Sequence, residues 1–154
     1  MHNRQELTLQ DYQSRAGQLL GVSEWIVVTQ AMIDQFAEIT GDRQFIHVDP
    51  VRARQSSFGS TIAHGFLTLS LISRMSFSAV PRIQGAQMGV NYGMNAVRFV
   101  SPVRAGARVR GRFTLKQCVE RKPRHWQSAL DVAVEIENVD KPALVAEWLN
   151  VAVV

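Results

Sequence analysis

The stretch from Ala63 to Ala79 most constrains what this chain can fold into. Its apolar residues fall on nearly every side of a 3.6-residue period, as expected of a helix enclosed by a fold rather than lying on its surface. Thr68, Ser70, Ser73, Arg74, Ser76 and Ser78 interrupt it, and Pro81 ends it. That makes the stretch too short and too polar to span a bilayer, so no membrane association is expected. Such a helix needs a large apolar surface wrapped around it, and the rest of the chain has to supply one.

The C-terminal half has the right pattern. Gln87 to Val100 is rich in strand-forming residues but carries Gly89, Asn91 and Gly93, which predict bends or bulges. From Arg108 to Lys116 the alternation is clean, with Val109, Phe113 and Leu115 on one side and Arg108, Arg110, Arg112, Thr114 and Lys116 on the other. The cationic row reads as a solvated strand face, or as a contact for phosphates, which the guanidinium fork suits. Leu130, Val132, Val134 and Ile136 alternate with Asp131, Glu135 and Glu137, and Ala143 to Val154 is apolar enough to be covered on both faces. Long antiparallel strands after one enclosed helix predict an α+β domain, its antiparallel sheet wrapped around that helix.

The N-terminal half predicts shorter pieces. Leu9 to Leu20 reads as an amphipathic helix, with Thr8 as N-cap and Gly21 in the closing turn. Trp25 to Thr29 is a short β-rich run. A helix from about Gln30 to Thr40 is capped by Thr29 and stopped by Gly41. Asp49-Pro50 starts another short helix to about Gln55, and Gly59-Ser60 marks a turn. Asp42 therefore leaves a helix in a loop. On a continuing helix it would lie ~140° around the axis from His47, whereas a loop can fold the two toward one point. By residue type the pair suits acid–base chemistry, although a turn aspartate and a solvated histidine would look the same. His47-x-Asp49 offers two ligands without a third nearby, so no metal is expected.

At 154 residues the chain fits one domain, residues 1–154, with a substantial core. Seventeen Lys+Arg against 13 Asp+Glu leave a net charge of +4, carried mostly by arginine, so a phosphate-bearing ligand is plausible on charge. No basic run interleaved with exposed aromatics and no nucleic-acid motif is found, so no nucleic-acid partner is expected. Cys118 is the single cysteine, which excludes an internal disulfide and fits a reducing cytoplasm. The first six residues contain no apolar run, and no signal peptide is expected.

Phe36-Ala37-Glu38-Ile39-Thr40-Gly41-Asp42-Arg43-Gln44-Phe45-Ile46-His47-Val48-Asp49-Pro50 resembles the hydratase motif of MaoC-like (R)-specific enoyl-CoA hydratases, which have the hot-dog fold. Thr61-Ile62-Ala63-His64-Gly65-Phe66-Leu67 resembles the start of that fold's central helix. Asn91-Tyr92-Gly93, Val97-Arg98-Phe99 and Pro102-Val103 resemble the branch that includes nodulation protein N. The family pattern has Asn-Pro where this chain has Gln44-Phe45. The Asp–His spacing is unchanged, and the expected difference lies in the shape of the loop and acyl pocket.

The resemblance implies a hot-dog domain that hydrates trans-2-enoyl-CoA to (R)-3-hydroxyacyl-CoA, or runs the reverse dehydration. It implies Asp42 and His47 as the catalytic pair on one water and the Gly65 N–H as oxyanion donor, in keeping with the positive end of a helix. Ser73, Gln44 and His64 are the implied supporting residues. His64 stands nine positions from Ser73, ~180° around a regular helix, and is read as structural, near the helix N-terminus. Asn91 and Tyr92 are implied at the substrate. No cofactor is implied beyond the coenzyme A of the substrate, for which acyl carrier protein is the other carrier, and the expected assembly is a homodimer. The rival readings are a hot-dog acyl-CoA thioesterase and a non-catalytic acyl-thioester-binding module. The absence of Asp and Glu from Ala63 to Ala79 argues against the first, and the presence of both Asp42 and His47 against the second.

Overall fold

The computed structural model describes residues 4–154. In chain order they form β1 (Glu6–Leu7), α1 (Leu9–Ser14), β2 (Leu19–Val22), β3 (Ile26–Val27), α2 (Gln30–Thr40), α3 (Phe45–Val48) and α4 (Pro50–Arg54). Then come α5 (Gly65–Ala79), β4 (Arg82–Ile83), β5 (Met88–Phe99), β6 (Arg108–Lys122), β7 (His125–Ile136) and β8 (Leu144–Val153). The expectation of no apolar leader falls partly on residues 1–3, which lie outside the described residues.

An antiparallel sheet in the order β2-β6-β7-β8-β5, with β3 also on β6, packs around α5. Period-two alternation puts one side of each long strand on the core. Val109, Phe113 and Leu115 are buried there with Val132, Val134 and Trp148, against Leu67, Leu71, Ile72 and Met75 of the helix. Close approach at the far end of α5 depends on one residue. A Cβ on Gly21 would stand 2.3 Å from the Ala79 carbonyl oxygen, so only glycine lets β2 lie there.

Several expectations are corrected. The first helix stops at Ser14 and not at Leu20. Gly17 turns the chain at φ 82°, and Leu19–Val22 becomes a strand because β6 offers it a ladder. The bulge expected around Gly89–Gly93 falls between Asn91 and Gly93, with a second between Met94 and Ala96. The clean alternation ends at Lys116 because the β6–β7 register shifts between Leu115 and Gln117, yet the hairpin runs on to Lys122 and His125. The cationic row is neither free nor simply solvated. Arg108 pairs with Glu137, Arg110 and Arg112 with Glu135, and Lys116 with Glu147 across the neighbouring strands.

Two expectations of full coverage also change. Helix α5 is enclosed on one side only, and Phe66, Ser70, Arg74 and Phe77 form an exposed stripe. Strand β8 is buried on its α5 side, while Val145 on the other side is 39% exposed. No helix among the described residues is long and apolar enough to cross a membrane.

Tyr12 of α1 is 3% exposed under the sheet, and its phenol is pushed up to about 12, chiefly by burial, against the opposing effect of a hydrogen bond with Ser128. A phenol raised in the folded state leaves stability intact below pH 10. It loses that stability as the unfolded phenol ionises and the folded one does not, between pH 10 and about 12. At ~1.4 kcal/mol per pH unit the loss attributable to Tyr12 is about 2 to 3 kcal/mol. Urea unfolding of the wild type and Tyr12→Phe at pH 9 and pH 11.5 should show the gap between the two changing by about 2 kcal/mol in favour of the variant.

Candidate active site

Helix α2 ends at Gly41, whose φ of 77° supplies the left-handed turn. Its backbone N–H closes on the Ala37 carbonyl, and the chain leaves the helix at Asp42. Gln44 then caps the single turn α3, placing His47 on the inner side of that turn. The Asp49 carboxylate accepts from the Arg52 N–H at 3.0 Å, so Asp49 is an N-cap ahead of Pro50. The sequence pattern did not anticipate α3, because four residues are too few to show a period.

His47 is 6% exposed and His64 3%. The His47 Nδ1 lies 2.7 Å from the Ile62 carbonyl oxygen, and the His64 Nε2 lies 2.9 Å from the backbone carbonyl oxygen of Asp42. A carbonyl only accepts, so each of these nitrogens carries the hydrogen. The His47 Nε2 and the His64 Nδ1 are then left as lone pairs in the neutral rings. The rings stack, with centroids 3.8 Å apart and planes 24° apart, and Phe36 stands 5.0 Å from His64 on a tilted face. Asp42 is exposed, and among the described residues its carboxylate receives only a long, 3.4 Å contact from the Gln44 N–H. The Asp42 carboxylate is thus open to solvent beside two buried imidazoles.

Ligand atoms of Asp42, His47 and His64 all lie within 4.8 Å of one another. This cluster was hidden in the sequence, where His64 stands far from the other two. It does not have the form of a metal site. The two rings lie stacked face to face, so their in-plane lone pairs run side by side instead of converging from different directions. Both rings cannot direct in-plane lone pairs at one ion. The arrangement suits a hydrogen-bonded water between Asp42 and the His47 Nε2.

His64 is the N-cap residue of α5, and its side chain caps no helical N–H. Its carbonyl accepts from Leu67 and Thr68, so Gly65 stands in the first turn, where backbone N–H groups have no intrahelical acceptor. A Cβ on Gly65 would lie 2.9 Å from the Phe99 ring. Phe66 and Phe99 form an edge-on pair 5.8 Å apart and are exposed by 67% and 50%.

The remaining expected residues separate. Gln44 contributes its backbone to the α3 cap, and its side chain makes no capping bond. Ser73 lies about 12 Å along α5 from Gly65 at 1.5 Å per residue, where the Asn91 amide approaches its hydroxyl at 3.4 Å. Both line a cleft of about 220 Å³ between α5 and β5, with Leu69, Met94 and Trp148. Tyr92 is 68% exposed and lines a different cleft, with Val90, Leu149 and Val151 on the other face of the sheet. Within one chain, then, Asp42, His47, His64 and Gly65 come together, Ser73 joins Asn91, and Tyr92 stands apart. Sequence reasoning missed Gln30. Its amide donates to the His47 carbonyl at 2.7 Å, and its amide oxygen accepts from the Thr61 hydroxyl. A glutamine at the start of a helix gives no sign of that role.

Residues 11–137 match the family described as MaoC like domain. Over 147 residues the chain is 56% identical to nodulation protein N of Rhizobium leguminosarum bv. viciae, covering 95% of this chain and 91% of that protein. It is 42% identical over 137 residues to 3-hydroxyacyl-thioester dehydratase Z of Mycobacterium tuberculosis (strain ATCC 25618 / H37Rv), covering 89% of this chain and 90% of the relative. Among solved structures it is similar to an (R)-hydratase from A. caviae involved in PHA biosynthesis, with a TM-score of 0.71 and 24% identity, over 88% of this chain and 94% of that one.

The Gly65–Phe99 contact is testable by itself. Alanine outranks glycine in a helix by up to ~1 kcal/mol, so Gly65→Ala would stabilise α5 if nothing stood against it. The crowding with Phe99 reverses the sign. Gly65→Ala should lower unfolding free energy by about 1 to 2 kcal/mol in urea titrations, and Phe99→Leu in the same chain should recover most of that loss.

Proposed function

The chain belongs to the MaoC-like domain family, and from that membership and the geometry at His47 we propose that it hydrates trans-2-enoyl thioesters to (R)-3-hydroxyacyl thioesters, or runs the reverse dehydration. Dehydratase chemistry is the activity named for a relative that matches most of this chain. What supports the finer reading is that ligand atoms of Asp42, His47 and His64 lie within 4.8 Å of one another, with the His47 Nδ1 taken by the Ile62 carbonyl and His64 capping α5 just before Gly65.

In the proposed reaction one water donates a hydrogen bond to Asp42 and another to the His47 Nε2. As the water oxygen bonds to C3, His47 takes its proton, and the electron pair of the C2–C3 double bond moves toward the thioester oxygen. The Gly65 N–H stabilises the charge that develops there. The imidazolium then returns the proton to C2, which restores the thioester and leaves hydroxyl on C3 and hydrogen on C2. The Ile62 carbonyl holds the His47 tautomer throughout, a role like that of the partner oriented behind many catalytic histidines. Coenzyme A enters as part of the substrate, and acyl carrier protein is the other carrier this chemistry accepts. The reaction requires no further cofactor. Ser73 and Asn91 are proposed to border the acyl path, since they flank the cleft between α5 and β5.

We also propose a homodimer. Strand β5 is twelve residues long and stands at the end of the sheet, with Met88, Val90 and Tyr92 exposed. An unpaired apolar edge of that length is a template for a second strand. The Phe66 and Phe77 stripe of α5 adds further apolar surface. Light scattering behind size exclusion should give twice the 17.2 kDa chain mass, and a monomer at micromolar concentration would overturn the assembly.

Purified protein should deplete the conjugated enoyl-CoA absorbance without releasing free thiol. Asp42→Asn and His47→Asn should each lower kcat/KM by about 100-fold or more, the range of general acid–base catalysis, with unchanged circular dichroism. Full activity in both variants would sink the mechanism. Thiol release would instead indicate a thioesterase, and no turnover at any chain length a binding module.

A further inference from the structure

His64 touches each part of this site without being assigned a role in the chemistry. Its Nε2–H holds the Asp42 backbone carbonyl at 2.9 Å, its ring stacks on His47 at 3.8 Å, and its main chain forms the N-cap of α5 immediately before Gly65. One residue therefore ties the loop carrying the carboxylate, the catalytic imidazole and the oxyanion donor to one another.

A residue kept only to fill space would not look like this. His64 is 3% exposed, and its Nδ1 finds no hydrogen-bond partner among the described residues. A buried acceptor left unpaired is unfavourable, and a phenylalanine would stack on His47 and Phe36 without that cost. What phenylalanine lacks is the N–H that reaches Asp42. Helix capping is not the reason for the histidine either, since its side chain caps no N–H of α5. The Asp42 carboxylate itself is exposed and held by one long backbone contact. The His64 bond is thus the shorter, partly buried restraint on that residue.

Building on the hydratase reading, we propose that His64 is a positioning residue, fixing the separation of Asp42 and His47 relative to the Gly65 N–H so that one water can bridge the pair. It does so in its Nε2–H tautomer and need not touch substrate. The expected consequence is a loss of kcat with little change in KM, because the acyl chain is proposed to bind along the cleft at Ser73 and Asn91, away from the His64 side chain. A misplacement of catalytic groups by about 1 Å lowers rates by about 100-fold.

Two substitutions separate the two contacts. His64→Gln keeps an N–H that reaches the Asp42 carbonyl and gives up the stacked ring, whereas His64→Phe keeps the ring and gives up the N–H. With enoyl-CoA as substrate, kcat should fall by about 10-fold in His64→Gln and about 100-fold in His64→Phe, with KM within about twofold of wild type in both. Partial rescue by glutamine is the signature of the positioning bond. Equal kcat in wild type and both variants would overturn the proposal and leave the hydratase reading standing, as would losses confined to the folded fraction. A wild type inactive on enoyl-CoA overturns the hydratase reading and this role with it, and is recognised before any variant is made. A measurement on the wild type guards against variants that fail to fold. Nitrogen-15 shifts of the imidazoles at pH 8 should report His64 protonated on Nε2 and His47 on Nδ1, and His64 protonated on Nδ1 would overturn the proposal.

Discussion

Ile62 is gripped from both sides, and the rest of the site depends on that grip. Its N–H donates to the Ile46 carbonyl at 2.9 Å, and its own carbonyl accepts from His47. It also bridges Arg104, while Ala63 donates to Val103 and Ala105 to Thr61. This short extended segment is thereby bonded to the α3 turn and to the loop that feeds β6. Helix α5 begins immediately after it. The position of His47 is consequently fixed against the same backbone that aims the first turn of α5. The Ile62 and Ala63 ladder bonds are backbone to backbone and do not depend on side-chain identity, whereas the bond to His47 requires its imidazole.

The outer surface makes the opposite demand. The alternation of β6, β7 and β8 encloses α5 on one side, yet β5 is exposed along nearly its whole length and α5 presents Phe66 and Phe77 to solvent. An isolated chain leaves these apolar groups in water, at a cost of ~25 cal/mol for each Å² that a partner could cover. The paired charges on β6, β7 and β8 behave differently. Arg110 closes on Glu135 and also lies 4.4 Å over the Trp25 ring, so its charge is satisfied within the chain. Exposed pairs of this kind add at most ~1 kcal/mol each, and they leave the row with little free charge for a ligand phosphate.

The sequence was most legible where a physical period or a cap operates on its own. The Thr29 cap, the Gly41 stop and the Asp49-Pro50 start are local, and all three occur as read. Period two revealed β6 and β7 up to the bulge at Lys116, where the register shift reverses the sides and breaks the pattern. Leu9 to Leu20 misled for a related reason. Its apolar spacing suits a helix, but pairing with β6 claims Leu19–Val22, and no local signal reports a partner strand so far along the chain. The sequence pattern overstates the enclosure of α5 because, in sequence, exposed apolar residues such as Phe66 and Phe77 look like residues of a core. The Asp42–His47 spacing singled out a candidate pair, whereas the stacking of His64 on His47 joins residues seventeen positions apart and is a fact of tertiary structure alone.

The departure at Gln44-Phe45 can now be given a physical account. These positions are the N-cap and the first residue of α3. Gln44 sits at φ −57° and ψ 139°, within the extended region that a residue before proline is restricted to. Proline is favoured at the first helical position because its φ suits the helix and the N–H it lacks would have no intrahelical acceptor. Phenylalanine at that position sacrifices no hydrogen bond and needs only to adopt the same φ, which it does here without proline's constraint. It also gains a contact, since the Arg52 guanidinium stands 4.4 Å from its ring centroid, tying α3 to α4. The Phe45–Arg52 contact helps to hold the turn, and His47, two residues on, reaches the Ile62 carbonyl.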